Sequence, residues 1–346
     1  MKKTIFAMAV AAVVLTGCGE NRKEPASGPA NETAEDTRAN APNNTGATPP
    51  DNTASPEPAD AKYKGEQIGQ ALLDGEYDEV YGQLSKDFQQ ELTSAQFRET
   101  LKSFNEGVES WEQQSRRLLN DWQYYTWIDP VGKKKGLKVI MDKKEEITGL
   151  RAMPLESFPE TDAAQTQLAY DLPFKGEWYV FWGGENVLVN YHYELESQRY
   201  AYDIVQIKDG YSYKGDAKKN ESYYAFGQEL IAPQDGKVVH VVNDIKDNEP
   251  VGVMNAEQPL GNVVVIDHGN GEFSFLAHMK KGSAVVKVGD QVSQGDPIGQ
   301  CGNSGNSSEP HLHYQVSDKQ DLFDGKSIRV QWKGGLSLPQ GETVKG

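Results

Sequence analysis

The stretch Glu309-Pro310-His311-Leu312-His313-Tyr314 sets two imidazoles two residues apart in a chain with only six histidines. Alternate side chains of a β-strand share a face, so His311 and His313 point the same way and Leu312 points into the core. That face then carries two metal ligands, or one ligand and one general base. A catalytic zinc usually takes three protein ligands and keeps a fourth position for water, so a carboxylate and a further imidazole are wanted from elsewhere. No His-Glu-x-x-His helix occurs, which excludes the commonest helical zinc-protease design. His240 alternates with valines in "GKVVHVV" and reads as an ordinary strand position, and His268 in "VIDHGNGE" belongs to a hairpin turn. His192 and His278 remain as partners for the pair.

The elements that must position these residues are strands. From about Leu172 the chain runs through "EWYVFWGG", "NVLVNYHY", "RYAYDIVQI", "LIAPQDGKVVHVV", "GNVVVIDHGNGEFSFLAHM" and "HLHYQV", punctuated by Gly and Asp-Gly turns. That pattern predicts a mainly antiparallel β domain over 172–335. Before it, residues 62–165 predict a small α+β module. Ile68, Leu72 and Leu73, then Val80, Leu84 and Phe88, recur at helical spacing. Thr93-Ser94-Ala95-Gln96 reads as a capping box opening a helix that Gly107 closes, and the strand-like runs "WQYYTWI", "GLKVIM" and "EITGLRAM" follow.

The first residues bear on location. Lys2-Lys3, the short apolar run Ile5–Val14 and Leu15-Thr16-Gly17-Cys18 lay out a secretory leader too short to span a bilayer. "LTGC" also resembles the bacterial lipoprotein lipobox, which implies cleavage after residue 17 and lipidation of Cys18, a multi-chain anchor in the membrane. Residues 18–61 have no aromatic side chain and are rich in Pro, Asn, Thr, Ala and Glu, so they read as a disordered tether. The expected location is extracytoplasmic and lipid-anchored. A net charge of -16 argues against nucleic-acid partners. The second cysteine, Cys301, reads as a buried thiol rather than a nucleophile.

"FGQELIAPQDGKVVHVV", "GNVVVIDHGNGEFSFLAHM" and "GDQVSQGDPIGQCGNSGNSSEPHLHYQV" occur in the order and spacing of the lysostaphin-like (LytM-type) zinc endopeptidases, which cut peptide bonds of bacterial cell walls. The resemblance covers roughly residues 172–320. It implies the duplicated, hybrid-motif β fold of that family, a Zn2+ cofactor and peptidoglycan peptides as substrate. It implies that His313 is a metal ligand, and that His311 and His278 orient water and stabilise the oxyanion. The family's other two ligands usually come from His-x-Gly-x-Asp. Here that stretch is Arg199-Tyr200-Ala201-Tyr202-Asp203, so Asp203 is in place and Arg199 stands where the histidine is expected. A guanidinium has no lone pair to give. The ligand is therefore sought in Asn190-Tyr191-His192, with 194–198 looping His192 back beside Asp203. The expected set is His192, Asp203 and His313, with Asn190, Tyr202 and Glu309 as supporting groups. The 62–165 module resembles helix-plus-sheet modules of unassigned activity that precede bacterial surface hydrolases.

Two other readings compete. A domain of the same fold that lacks a working metal site would regulate other wall hydrolases instead of cutting. A lipoyl-type carrier is suggested by "GKVVHVV" followed by "GDQVSQGDPIG", but the Met-Lys-Met tripeptide such carriers modify is missing.

Overall fold

The computed structural model describes Val13–Thr16 and residues 62–346. Cys18, the tether over 18–61 and most of the leader over 1–17 lie outside the described residues. The first module is an antiparallel sheet of β1 (Val13–Thr16), β2 (Glu112–Leu119), β3 (Trp122–Ile128), β4 (Lys135–Met141) and β5 (Ile147–Pro154), in the order β1-β5-β4-β3-β2. Four short helices cover one face: α1 (Ile68–Leu73), α2 (Tyr77–Gly82), α3 (Lys86–Glu91) and α4 (Ser94–Asn105). Thr93 caps α4 as its capping box predicts: its hydroxyl accepts from the Gln96 N–H at 3.3 Å, and the Gln96 side chain accepts from the Thr93 N–H at 2.9 Å. Phe97 and Leu101, one turn apart on α4, pack with Ile68, Leu72, Phe88, Tyr125, Trp127 and Val139.

The opposite face of this sheet is polar and also buried. Ser115, Thr126, Lys138 and Arg151 are paired in turn across β2, β3, β4 and β5, which puts them in one row. The row packs against the second module. The Lys138 Nζ donates to the Leu188 carbonyl at 3.0 Å and lies 4.6 Å from the Trp182 ring centre.

A short helix, α5 (Pro159–Ala163), leads into the second module. Its strands are β6 (Gln165–Tyr170), β7 (Glu177–Trp182), β8 (Tyr202–Val205), β9 (Glu229–Ile231), β10 (Gly236–Val242), β11 (Asn262–Asp267), β12 (Phe273–Met279), β13 (Gln291–Val292), β14 (Pro297–Gln300), β15 (Leu312–Ser317), β16 (Ser327–Trp332) and β17 (Thr343–Lys345). The main sheet runs β13-β10-β11-β12-β15-β8-β7-β17, with β16 pairing both β15 and β6; β9 and β14 form a separate pair. Pairing is antiparallel except between β16 and β6. The sheet extends past both ends of the expected 172–335 span, because β6 precedes it and β17 follows it.

Val264, Ile266, Leu276, Leu312, Tyr314 and Val316 lie in the main core, while Val263, Val265, Phe275 and Ala277 pack on the other face of the same strands. Burial on both faces explains the unbroken apolar run of β11. One segment departs from its sequence pattern. "NVLVNYHY" reads as a strand, yet it forms turns followed by the one-turn 3-10 helix Tyr191–Glu194. Asn186 is the cause: its side chain accepts from the N–H groups of Leu188 and Val189 at 3.0 and 3.3 Å, which offers the backbone an alternative to a ladder. Among the described residues no helix is long and apolar enough to cross a membrane.

Candidate metal centre

Three neighbouring strands carry the chemistry. β15 lies between β12 and β8; His313 is paired with Ala277 on one side and with Asp203 on the other. Leu312 and Tyr314 enter the core, so His313 and Gln315 occupy the opposite face, where Asp203 meets them. His192 arrives from outside the sheet on its 3-10 turn. Ligand atoms of His192, Asp203 and His313 all lie within 4.8 Å of one another, and all three residues are buried. The His313 Nδ1 is 3.0 Å and the His192 Nε2 3.7 Å from the Asp203 carboxylate.

The turn bearing His192 is fixed by its neighbours. Its backbone closes successive short bonds, Leu195 N–H to the His192 carbonyl, Gln198 N–H to Leu195 and Ala201 N–H to Gln198, at 2.8 to 2.9 Å. The Asp162 carboxylate of α5 accepts from the hydroxyls of Tyr193 and Tyr200 at 2.8 and 2.7 Å, tying both ends of the turn to one point. Asn190 is fully buried within it. Its amide donates to the carbonyls of Gly184, Arg199 and Ala201 at 3.1 to 3.2 Å, and its oxygen faces the His192 Nδ1 at 2.9 Å.

These partners set the tautomers. With every Asn190 donor spent, its oxygen accepts a hydrogen bond from the His192 Nδ1–H. The His192 Nε2 is then a lone pair, buried and without a hydrogen-bond partner. The Gln315 amide donates to the Ser197 carbonyl at 2.8 Å, which turns its oxygen toward the His313 Nε2 at 3.2 Å. His313 is thereby left with its Nδ1 lone pair beside Asp203. Burial pushes His192 down to about 3, so the ring is neutral. Burial alone would raise the Asp203 carboxyl, but the facing imidazoles of His192, His311 and His313 hold it below the carboxylate range. Two neutral imidazoles and a carboxylate, with one buried lone pair otherwise wasted, are the donor set of a zinc site. The residues therefore fit the metal.

His278 and His311 line the same space without joining the ligand triad. Their ring centres are 4.7 Å apart, and the His278 ring is 5.7 Å from that of His313. The His278 Nδ1 donates to the Ser304 carbonyl and the His311 Nδ1 to the Glu309 carbonyl, each at 2.8 Å. Both rings thus present the Nε2 lone pair to the site; that of His311 is 3.6 Å from Asp203. Burial holds His278 well below the usual histidine range. His278 also has φ 57°, a left-handed backbone that costs a residue with a Cβ about 1 kcal/mol or more and is found where a site needs a side chain aimed out of register. Gly261 and Gly305 interlock behind Ser304; a Cβ on Gly261 would meet the Ser304 carbonyl oxygen at 2.3 Å. The "GNSGNSS" loop therefore supports both imidazoles, through the Ser304 carbonyl and the Ser307 hydroxyl.

Arg199 takes no part in the centre. Its guanidinium lies 3.4 Å from the Phe158 ring centre, its Nε donates to the Tyr193 carbonyl and its Nη1 to the Thr161 hydroxyl. Of the supporting groups expected, Asn190 holds His192 and Glu309 holds His311 through its carbonyl. Tyr202 points away, edge-on to Trp332 at 5.7 Å. Gln315 and Ser304 were not singled out from the sequence. Gln315 shares the strand face of His313 two residues on, which is a usable signal; a backbone carbonyl such as that of Ser304 leaves none.

Residues 222–325 match the family model "Peptidase family M23". The chain is 45% identical over 67 residues to the peptidoglycan DD-endopeptidase ShyA of Vibrio cholerae, covering 19% of this chain and 15% of that protein. It is 41% identical over 78 residues to the murein hydrolase activator EnvC of Escherichia coli, covering 22% and 17%. It is 35% identical over 81 residues to an uncharacterized metalloprotease of Buchnera aphidicola, covering 23% and 21%. The matches thus span about a fifth or less of these relatives' own length. The family match takes in His278, His311 and His313 but begins after His192 and Asp203.

Proposed function

We propose that the protein is a membrane-tethered zinc endopeptidase that hydrolyses peptide bonds of peptidoglycan, with the M23 domain as its chemical part. The observation that carries this reading is the buried, partnerless Nε2 of His192 aimed at Asp203 and His313. An unpaired buried acceptor is costly, and a bound cation removes the cost. His192 through Nε2, His313 through Nδ1 and the Asp203 carboxylate would hold the zinc. When bound, zinc supplies polarisation of the scissile carbonyl and a water acidic enough to attack near neutral pH.

The chain's own groups do the rest. The Nε2 lone pairs of His311 and His278 are placed to accept the proton of the attacking water. Once protonated, an imidazole donates to the developing oxyanion or to the leaving amine. Their Nδ1 bonds to the Glu309 and Ser304 carbonyls fix each ring. The leader, the Cys18 lipidation expected from "LTGC" and the tether over 18–61 would keep the domain outside the cell, within reach of the wall.

A second reading, a non-hydrolytic regulator of other wall hydrolases, draws on the segment shared with the activator EnvC and on Arg199 at the usual ligand position. One experiment separates them. Purified protein is assayed for zinc by mass spectrometry and for muropeptide release from isolated walls, with and without a chelator. Stoichiometric zinc and chelator-sensitive release support the endopeptidase; metal-free protein that releases nothing supports the regulator.

A further inference from the structure

The chain entering the His192 turn rests on the first module. β4 meets it through two residues on one strand face. The Lys138 Nζ donates to the buried Leu188 carbonyl at 3.0 Å. Gly136, two residues back on that face, leaves room for the Leu188 side chain: a Cβ there would meet the Leu188 Cδ1 at 2.5 Å. A second path runs through rings. The Lys138 Nζ lies 4.6 Å from the Trp182 ring centre, Trp182 stands edge-on to Tyr191 at 5.5 Å, and the Tyr191 ring lies 3.9 Å from that of His192.

The chain leaving the turn is held by the joint between the modules. The Asp162 carboxylate accepts from the hydroxyl of Tyr193, next in sequence to the ligand, and from that of Tyr200. The Phe158 N–H donates to the same carboxylate and to the Tyr193 hydroxyl, each at 3.2 Å. Both Asp162 oxygens are thus spent on this contact, and Tyr193 is buried. Arg199, which holds no metal, bridges the same two pieces: its Nε reaches the Tyr193 carbonyl and its Nη1 the Thr161 hydroxyl.

We infer that Lys138 and Asp162, both within 62–165, are positioning residues for His192, so that the third ligand of the proposed zinc site is kept in place from outside the peptidase sheet. His313 and Asp203 need no such help, being register partners on two paired strands. His192 sits on a single 3-10 turn, and so short a helix keeps its shape only through packing and hydrogen bonds from outside. A buried amine and a buried carbonyl that pair keep each other in place, because separating them leaves both unsatisfied in the interior. Partners that orient a ligating histidine carry about 10–100-fold of metal affinity. The coupling is reciprocal: if the joint holds the ligand, a cation on the ligand steadies the joint. The first module is on this account part of the metal site and not only a spacer. The inference rests on the proposed function only in calling His192 a zinc ligand; the hold on the turn stands apart from it.

The test uses the full-length protein. Lys138→Met removes the amine and keeps the stem, Asp162→Ala removes the carboxylate, and Glu160→Ala, at an exposed position of α5, is the control. Zinc dissociation constants are measured against a competing chelator, and amide exchange is followed in zinc-free and zinc-loaded protein. Lys138→Met and Asp162→Ala are each expected to weaken zinc binding tenfold or more and to speed exchange at 190–195 in zinc-free protein by a similar factor, with β11 and β12 protected as in wild type. Glu160→Ala changes neither. Zinc added to wild type should in turn slow exchange at 158–163. In a His192→Gln background the two substitutions should cause no further loss of zinc affinity, which a general loosening of the fold would still cause. Should either variant unfold, Tyr193→Phe and Tyr200→Phe, which delete only the hydroxyls on Asp162, make the same comparison. Wild-type exchange at 190–195 in the folded variants overturns the inference, as does a loss of affinity that persists undiminished beside His192→Gln. A wild-type protein that binds no zinc counts against the proposed function alone, since exchange in the turn still reports the hold.

Discussion

His313 and Asp203 face each other across β15 and β8 as direct register partners, with Nδ1 and carboxylate 3.0 Å apart. Backbone pairing therefore fixes two candidate ligands before any metal arrives. Replacing His313 by Ala is expected to remove both zinc and wall hydrolysis, read by metal analysis and muropeptide release. Full zinc content in this variant would show that the cation sits elsewhere.

The third ligand depends on Asn190. Asn190→Ala deletes the bonds to Gly184, Arg199 and Ala201 and frees the His192 Nδ1. Loss of a partner that orients a ligating histidine typically costs about 10–100-fold in metal affinity. Titration with a competing chelator should show that loss. Unchanged affinity would mean the turn holds His192 by itself.

Arg199 is anchored on Phe158, Tyr193 and Thr161, so a histidine at that position points away from the centre. Arg199→His introduced into a His192→Ala background is expected to leave the protein zinc-free. Restored zinc would place the functional ligand at 199.

Two imidazoles outside the triad should separate binding from turnover. His311→Ala and His278→Ala are each expected to keep zinc and lower kcat by about 10²–10⁴-fold, the usual range for a general acid–base group. A kcat within a factor of two of wild type in both would remove them from the chemistry.

Stability of the chelator-treated protein should fall with acid. His192 is held at about 3 in the folded chain and returns to about 6.5 on unfolding. Between those values the unfolded chain binds the extra proton, so the unfolding free energy drops as pH falls from 6.5 toward 3. From pH 6.5 to 4.5 this one group costs about 2–3 kcal/mol. Urea midpoints of wild type and His192→Gln give the comparison: the variant's curve should be flatter, and parallel curves would refute the assignment.

Much of the centre could be read from residue order. The alternation Leu312, His313, Tyr314, Gln315 on one strand announces two faces, and the capping box at Thr93 and the apolar run of β11 announce their elements as plainly. His192 was visible only as a spare imidazole near Asp203, because its place is made by Asn186 and Asn190 breaking a strand-like run into turns. The docking of the two modules left no trace in the hydrophobic pattern. It buries Arg117, Lys138, Ser115 and Thr126, residue types that pattern reading assigns to solvent. Carbonyl acceptors such as those of Ser304 and Glu309 are equally silent, since any residue type supplies one.

The origin of the ligands also suggests where redesign is easiest. Two donors ride on a rigid ladder in mid-sheet, while the third rides on a single turn pinned at Asp162 by Tyr193 and Tyr200. Exchanging that turn for a segment bearing cysteine or a second carboxylate would change which ion is preferred while leaving the main sheet and its two built-in donors untouched.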